Sequence, residues 1–170
     1  VSNIVFSTSI GVSNLTRPIE VFSADEYRKQ VPAVGGVLDD GKANTDWQEE
    51  ITRTAITQNH NLTLSGGADK LTFYASFGMQ RQEGIIKFNT LDRYTGRFNA
   101  TQKFLDDRLT IEVNLNATNT NNVRPPISGV IGDALANNPT YAAYDANGKP
   151  AQYININNPL QSFNLDKDIT

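Results

Sequence analysis

The clearest pattern along the chain is an alternation of apolar and polar residues with a period of two. Such alternation predicts β-strands, because successive side chains on a strand point to opposite faces. It is most regular over 108–120, where Leu, Ile, Val and Ala alternate with Thr, Glu and Asn. Comparable alternation covers 70–82 and 92–104, and weaker alternation covers 3–15 and 56–66. The sequence therefore predicts five strands.

The lengths of these strands and of their connections indicate a membrane barrel. Strands of soluble proteins most often have about 5 to 6 residues, whereas a strand that crosses a bilayer needs about 9 to 11. The connections alternate between short turns, at 66–69 and 105–107, and long loops, at 16–55 and 121–170. Short turns on one side and long outer loops on the other are typical of outer-membrane barrels. We predict an all-β fold: an antiparallel transmembrane β-barrel fragment of about five long strands, with the longer connections outside the cell.

The long loops contain helix start signals. Ser23 followed by Glu26, and Thr45 followed by Gln48, have the spacing of a capping box, in which two side chains satisfy the first free amides of a helix. The final segment contains a further predicted helix over 128–137. The rest of the final segment, with its run of Asn and Pro residues, has the composition of a surface loop. The outer loops should therefore carry short helices.

Composition agrees with this fold and excludes other classes. Hydrophobic residues make up 38% of the chain and charged residues 19%, with a mean hydropathy of -0.42, a balance that suits strands with one polar face. No run approaches the roughly 20 apolar residues of a membrane helix. The net charge of -3 has no basic cluster behind it, so nucleic acid is not an expected partner. The first residues lack the pattern of a signal peptide, and we expect the chain to begin internally.

Catalytic and metal-binding constellations are not predicted. His60 is the single histidine and cysteine is absent, so sites built from several His or from thiolates are excluded within the chain. Adjacent acidic residues at 39–40, 49–50 and 106–107 point in diverging directions in loops and caps, which indicates solvated surface. The stretch 145–148 (DANG) resembles the start of a calcium loop but lacks the bidentate Glu at the required spacing, which favours a plain turn. We expect no enzyme activity and no cofactor.

Candidate binding residues fall into two groups. The aromatic residues Trp47, Tyr141, Tyr144 and Tyr153 lie in the predicted outer loops, where they either stack on sugar rings or pack within the loops and against a partner. The cations Arg93, Arg97 and Lys103 lie on the polar face of the fourth strand. These cations have two alternative roles: an ion pair with Glu112 on the fifth strand, or contact with a substrate. The substrate-binding candidates are accordingly Trp47, Arg93, Arg97, Tyr141 and Tyr144.

Several stretches carry a family resemblance. The first succession runs from 44–51 (NTDWQEEI) through 58–62 (QNHNL) to 65–67 (SGG). A second, looser set comprises 73–78 (FYASFG), 83–86 (EGII), Tyr94, 97–99 (RFN) and 157–160 (NNPL). Together they span most of the chain and resemble the SusC/RagA-like TonB-dependent outer-membrane transporters of Bacteroidetes. The stretch 23–27 (SADEY) is similar to the first barrel loop of that family.

The resemblance implies a fold and a function larger than this chain. Members of the family are expected to have barrels of about 22 strands closed by an internal plug, capped outside by a SusD-like lipoprotein. Residue 1 would follow the plug, so the plug, its TonB box and the remaining strands would be absent from this chain. The implied role is TonB-driven import of oligosaccharides or peptides across the outer membrane of a Gram-negative bacterium. Arg93, Arg97 and Lys103 would then line the lumen, and the plug becomes another partner for them.

A soluble β-sandwich remains the alternative interpretation of the same strands. Such a protein would act as an adhesin or a carbohydrate-binding module. The two hypotheses differ in what the apolar side chains of Phe73, Phe77 and Ile111 contact. A second sheet would cover them in a sandwich, whereas outer-membrane lipid would cover them in a barrel.

Overall fold

The chain forms one antiparallel sheet of five long strands. A computed structural model describes residues 2–154 and 156–163 and the backbone of 168–169. Its long strands are β1 (Ser2–Ser13), β2 (Ala55–Ala68), β3 (Leu71–Glu83), β4 (Thr90–Phe104) and β5 (Leu109–Arg124). Each strand pairs with the next along the chain. The two-residue strand β6 (Asp168–Ile169) pairs with the end of β5, so the segment 121–170, predicted as a long loop, contains a short strand that the alternation did not predict.

The strand register gives the sheet two chemically distinct faces. We call one the apolar face; it includes Ile4, Phe6, Leu62, Leu64, Phe73, Phe77, Phe98, Ile111, Val113 and Leu115. We call the other the polar face; it includes Asn59, Asn61, Ser76, Gly78, Gln80, Arg93, Thr95, Arg97, Asn114 and Asn116. The separation confirms the fold predicted from the alternation of the sequence.

Large side chains on the apolar face lie beside small ones on the neighbouring strand. Phe77 is paired with Gly96, and Phe73 with Ala100. On its other side Phe73 is paired with Gly66, and its ring lies 2.9 Å from the place of a β-carbon on that glycine, whereas the space at Gly96 is open.

The apolar face is exposed along the sheet. Phe77 is 53% exposed, Leu115 60% and Ile4 70%. The described part of the chain forms a single sheet, so it does not supply the second layer that the sandwich alternative requires. No described helix is long and apolar enough to span a membrane.

The two short connections close one end of the sheet. A turn at residues 69–70 joins β2 to β3, and a turn at 105–108 joins β4 to β5. The prediction that Gly66 and Gly67 belong to the first turn is wrong, because both lie within β2. A β-carbon at Gly66 would stand 2.9 Å from the ring of Phe73. The glycine is therefore required by the close approach of that ring rather than by a turn.

The 105–108 turn holds three consecutive residues in the left-handed region: Leu105, Asp106 and Asp107 have φ angles of 54°, 52° and 66°. Leu105 is also 71% exposed and lacks the local side-chain hydrogen bonding that lets Asp tolerate this region. We expect Leu105→Gly to raise the free energy of unfolding by about 1 kcal/mol, measured by denaturant titration of the refolded receptor. The control Leu109→Gly, within β5, should lower it. If both variants lowered the free energy of unfolding equally, the left-handed backbone at Leu105 would carry no energetic cost.

The long connections pack together at the opposite end of the sheet. They contain the helices α1 (Ala24–Ala33), α2 (Trp47–Ile51), α3 (Ile127–Ala136) and α4 (Pro159–Ser162). We call their buried cluster the loop core; it consists of Trp47, Ile51, Val130, Ala134, Ala143, Leu160 and Phe163. Because the strands expose both faces, dense apolar packing lies in the loops rather than on the sheet.

The two predicted capping boxes have different outcomes. At α1 the Ser23 hydroxyl accepts from the Glu26 amide at 3.3 Å, and the Glu26 carboxylate accepts from the Ser23 amide at 2.9 Å, which confirms the first. At α2 the cap is Asp46, whose carboxylate accepts from the amides of residues 48 and 49. The Thr45 hydroxyl instead donates to the carbonyl of Tyr141 at 2.6 Å. The prediction of Thr45 as a cap is therefore wrong, because a stronger acceptor follows it directly.

Asparagines of the final segment are internal rather than exposed. Asn158 is fully buried, and its amide donates to the carbonyls of Ala143 and Ala151 at 2.8 and 2.9 Å while its oxygen accepts from the Leu160 amide. Asn138 is also buried and donates to the carbonyl of Asp39 at 2.8 Å. The prediction of a plain surface loop is thus wrong at these positions. Asn side chains satisfy here the backbone groups that irregular chain leaves unpaired.

Candidate functional site

A shallow concavity lies on the polar face, over the middle of the sheet. It has a volume of about 360 Å³ and is lined by Asn59, Asn61, Ser76, Gly78, Met79, Gln80, Arg93, Thr95 and Arg97. The lining comes from β2, β3 and β4, because the register aligns these residues across the three strands. Gly78 keeps the floor open, since a β-carbon there would stand 2.8 Å from the Asn61 side-chain oxygen. The surface consists of amides and hydroxyls with two guanidinium groups.

The candidate cations of β4 do not pair with Glu112. Arg97 lies opposite Asn116 and donates from Nε to its side-chain oxygen at 3.1 Å. Glu112 lies opposite Thr101, two residues along the strand from Lys103. Among the residues that the structure describes, no carboxylate lies within 4.0 Å of Arg93, Arg97 or Lys103. The hypothesis of an ion pair with Glu112 is therefore wrong.

Trp47 is a packing residue of the loop core. It is 3% exposed, and its indole nitrogen donates to the carbonyl of Asn138 at 3.0 Å. With so little of the residue exposed, Trp47 offers no surface for stacking on a sugar. Of the two roles considered for this residue, the structure favours packing within the loops.

The tyrosines remain partly accessible at the edge of the loop core. The rings of Tyr141 and Tyr153 stack with centroids 4.5 Å apart. The phenol of Tyr141 donates to the Asp39 carboxylate, and that of Tyr144 donates to the Glu50 carboxylate at 2.9 Å. The hydrogen bond to Asp39 raises the pKa of Tyr141, while partial burial and then the bond to Glu50 raise the pKa of Tyr144. Both phenols therefore stay protonated and tie the final segment to the first loop.

The remaining sequence candidates have local structural roles. His60 lies on β2, bonded to the Thr8 hydroxyl at 2.8 Å and stacked beside Phe6. The Asp145 carboxylate accepts from the amides of residues 147 and 149, which matches the predicted plain turn. Within the described ranges, no cluster of His, Asp and Glu has the arrangement of a metal site.

Arg53 joins two connections of the sheet, a role that the sequence did not predict. Its guanidinium donates to the carbonyls of Gly84 and Asn89 at 3.1 and 3.0 Å and lies 3.7 Å from the Glu83 carboxylate. The side chain thus fixes the link between β3 and β4 to the start of β2. Its position just after α2 gives no periodic signal, so sequence patterning does not single it out.

A groove of about 870 Å³ runs between residues 18–23, the start of α2 and the end of α3. Gln48 shapes it: the side-chain amide accepts from the Ile19 amide at 2.8 Å and donates to the Ile19 carbonyl at 2.7 Å. One side chain thereby pairs with an extended segment as a neighbouring strand would. Val21 and Phe22 next to it are 48% and 57% exposed, so this segment leaves apolar side chains at the rim of the loops.

The contact between Arg28 and Asp40 gives the first loop a pH dependence. The Arg28 guanidinium donates to both oxygens of Asp40 at 3.1 to 3.2 Å, which holds the pKa of that carboxyl below its usual value. A lowered pKa in the folded state stabilises the loop above the ordinary pKa, and this contribution is lost as the pH falls through the folded value. We expect the hydrogen-exchange protection of residues 39–43 to decline below about pH 4.

The matched variants test the source of that decline. Asp40→Asn should reduce the protection already at neutral pH and flatten its dependence on pH. Asp25→Asn, on the same arginine but 77% exposed, should leave the profile close to the wild type. A profile unchanged by Asp40→Asn would assign the decline to another acidic group.

The chain is similar in sequence to receptors of Bacteroidetes. It is 32% identical to the TonB-dependent receptor SusC of Bacteroides thetaiotaomicron in an alignment of 172 positions, which covers 96% of this chain and 17% of SusC. It is 34% identical over 89 residues to the TonB-dependent receptor P3 of Formosa agariphila, 52% of this chain and 9% of that receptor. No protein-family model matches the chain. The chain thus spans about a sixth of the length of SusC.

The fold agrees with this relationship. The structure of the RagAB peptide importer in its closed-closed state superimposes with a TM-score of 0.66 at 20% identity, over 88% of this chain and 22% of that one. A match over 88% of the chain means that most of its fold is shared with that importer. The chain belongs to the SusC/RagA-like TonB-dependent receptors, and its five long strands are part of their β-barrel.

Proposed function

We propose that the protein containing this chain imports an oligomeric nutrient, a glycan or a peptide, across the outer membrane of a Gram-negative bacterium. The observation that carries the proposal is the 32% identity to SusC over 96% of the chain. The structure supports it with a sheet that has one apolar and one polar face, as a barrel between lipid and a water-filled lumen requires. The role is transport and not catalysis.

The proposed orientation places the apolar face in lipid and the loop core outside the cell. From Leu71 to Met79 on β3 the apolar face extends roughly 27 Å along the strand, which is close to the height of a barrel's lipid-facing band of about 25 Å. Spin labels at Phe73, Phe77 and Ile111 should therefore be accessible to lipid-soluble oxygen. Labels at Ser76 and Asn114 should instead respond to an aqueous relaxant. Low access to both reagents at the first three positions would contradict a lipid-facing surface.

The proposed partners are a SusD-like surface lipoprotein and TonB, the latter through a plug outside this chain. Energy from TonB would act on the plug, while the folded outer loops would contact the lipoprotein. Tyr141 and Tyr144 are the loop residues proposed for substrate contact, and Arg93 and Arg97 the lumen residues.

Uptake in cells tests the transport function. A strain that lacks the receptor gene should lose uptake of fluorescent oligosaccharides or peptides that the parent imports. The wild-type gene should restore uptake, whereas a gene that encodes the receptor without its TonB box should not. Uptake that persists in the deletion strain would reject this receptor as the importer, and uptake that is independent of the TonB box would reject the energy source.

A further inference from the structure

The apolar face ends, toward the loops, at a boundary that crosses the strands obliquely. On this face the residues become polar at Asn119 on β5 and at Arg81 on β3, whereas on β1 apolar side chains continue to Val12. The row of paired residues that contains Asn119 reaches β1 at Thr8, so Val12 lies four residues beyond that row. Thr8 and His60, on the apolar side of the boundary, satisfy each other's polar groups with a hydrogen bond of 2.8 Å.

The slope of this boundary matches the tilt of strands in a membrane barrel. From β5 to β1 the boundary moves by about six residues, or roughly 20 Å along the strands, while the strand spacings between them total roughly 19 Å. These two lengths give a slope of about 45°, and strands of membrane barrels tilt by about 35 to 45°. In an upright barrel the boundary is therefore level, as the surface of a bilayer is.

Arg81 lies at this boundary in the middle of the sheet. It is paired with Gln58 on β2 and with Asp92 on β4, and its side chain is 55% exposed. Its Nε is 3.9 Å from the Asp92 carboxylate, which is beyond the length of a hydrogen bond. Within residues 2–154 and 156–163 the guanidinium forms no hydrogen bond. Its donors therefore point to a group outside the sheet.

The outward position of Arg81 does not depend on the barrel strands outside this chain. β3 is the central one of the five long strands and has two of them on each side. Further strands of a closed barrel would attach beyond β1 and β5, roughly 10 Å away. An internal plug would contact the polar face, which is the opposite face of the sheet. The surroundings of the barrel, and not its interior, therefore face Arg81.

The groups around Arg81 fit a lipid headgroup that bears a phosphate. A guanidinium donates a planar pair of hydrogen bonds to phosphate oxygens, and the amide of Gln58 beside it both donates and accepts, as the hydroxyls of a headgroup do. Tyr94 is 42% exposed and is paired with Met79 on the apolar side of the boundary, the depth at which barrels have a girdle of aromatic residues. Asp92 opposes the attraction, because its carboxylate repels a phosphate.

We propose that Arg81, with Gln58 and Tyr94, binds the headgroup phosphate of a lipid in the outer leaflet of the outer membrane. This inference rests on the proposed orientation of the barrel, with the apolar face in lipid and the loop core outside the cell. It goes beyond import, because it assigns a lipid-binding site on the outside of the barrel. A bound headgroup at Arg81 would fix the depth of this part of the barrel in the membrane.

Lipid binding to the full-length receptor, purified in a neutral detergent, tests the site. The probes are lipid A with two phosphates, the same acylated disaccharide without phosphates, and the disaccharide bisphosphate without acyl chains. We expect lipid A to bind about fivefold more tightly than its phosphate-free form. Arg81→Gln should remove most of this preference, and Arg81→Lys should keep part of it. Asp92→Asn should increase the preference, because it removes the carboxylate that repels the phosphate.

The matched control is Lys103→Gln, which removes a cation from the polar face and should keep the full preference. A wild type without the preference, or an Arg81→Gln variant that retains it, would overturn the proposal. So would a preference that falls in Asp92→Asn, since loss of structure rather than of charge would then explain both variants. A disaccharide bisphosphate that binds as tightly as lipid A would overturn the assignment to a lipid.

Failure of this site is distinct from failure of the proposed function. The uptake experiment with a deletion strain measures import of a labelled oligomer and does not depend on lipid binding at Arg81. The spin labels at Phe73, Phe77 and Ile111 test the orientation separately, because they report access to lipid without a headgroup contact.

Discussion

Phe77→Arg is expected to lower the stability of the membrane-inserted receptor by about 2 to 4 kcal/mol, the cost of a cation near the midplane of a barrel's lipid-facing surface. Phe77 lies in the middle of the apolar face, with Leu62 on one neighbouring strand and Gly96 on the other. Neither neighbour offers a hydrogen-bond acceptor in its side chain. The guanidinium would therefore have to reach the interface or bring water into the lipid.

The measurement is the free energy of unfolding of the receptor in lipid vesicles, together with its yield in the outer membrane of cells. Asn114→Arg is the matched control, because Asn114 is exposed on the polar face of the same sheet. It introduces the same side chain into water and should change the stability by less than about 0.5 kcal/mol. If both variants assembled and unfolded alike, the two faces would not differ in solvent, and the lipid-facing assignment would fail.

Trp47→Ala is expected to destabilise the packed loops by about 3 to 5 kcal/mol, the range for truncation of a large buried aromatic residue. Trp47 is 3% exposed and packs in the loop core with Ile51 and Val130. Its removal leaves a cavity between three connections that are distant in sequence. It also leaves the carbonyl of Asn138 without the indole donor.

Hydrogen exchange of α2 and α3 measures this loss, since exchange reports the free energy of local opening. Trp47→Phe retains much of the packing but removes the N–H group, and should cost less than Trp47→Ala; the lost hydrogen bond accounts for about 1 kcal/mol. Val37→Ala, at a side chain that is 95% exposed, should have almost no effect. Equal protection in Trp47→Ala and the wild type would show that the loops do not depend on this core. Exchange in β3 and β4 should be unaffected, because their paired strands lie outside the core.

The strands were predictable from sequence because every barrel strand has one face toward lipid and one toward water, so its apolar and polar residues alternate. Beyond the lipid-facing part of a strand, both faces meet water and the alternation stops. β5 continues beyond residue 120 to Arg124 through Asn121 and Asn122, and polar residues on both faces carry no period. Gly66 shows the opposite failure: glycine predicts a turn, but Gly66 lies within β2 and pairs with Phe73, whose ring would stand 2.9 Å from a β-carbon there.

The loop structure was less predictable because its contacts join residues far apart in the chain. Trp47 donates a hydrogen bond to Asn138, and Thr45 donates one to Tyr141. No local sequence pattern predicts either contact. The same holds for the candidate site. The polar face of β4 could be inferred from alternation, but the absence of an ion pair between Arg97 and Glu112 depends on the register of two strands, which the sequence does not fix to the residue.

The separation between the exposed apolar face and the loop core has a consequence for how this chain can change. Lipid is a fluid and imposes no shape, so Leu, Ile, Val and Phe should be interchangeable at a position such as Leu64 or Leu115. The loop core is a solid-like packing in which volume matters, so Val130 should tolerate few replacements. An apolar residue in the sheet is thus constrained by its apolar character alone, whereas one in the loop core is also constrained by its volume and shape. In a library of substitutions, the sheet positions should accept more different apolar side chains than Val130 does.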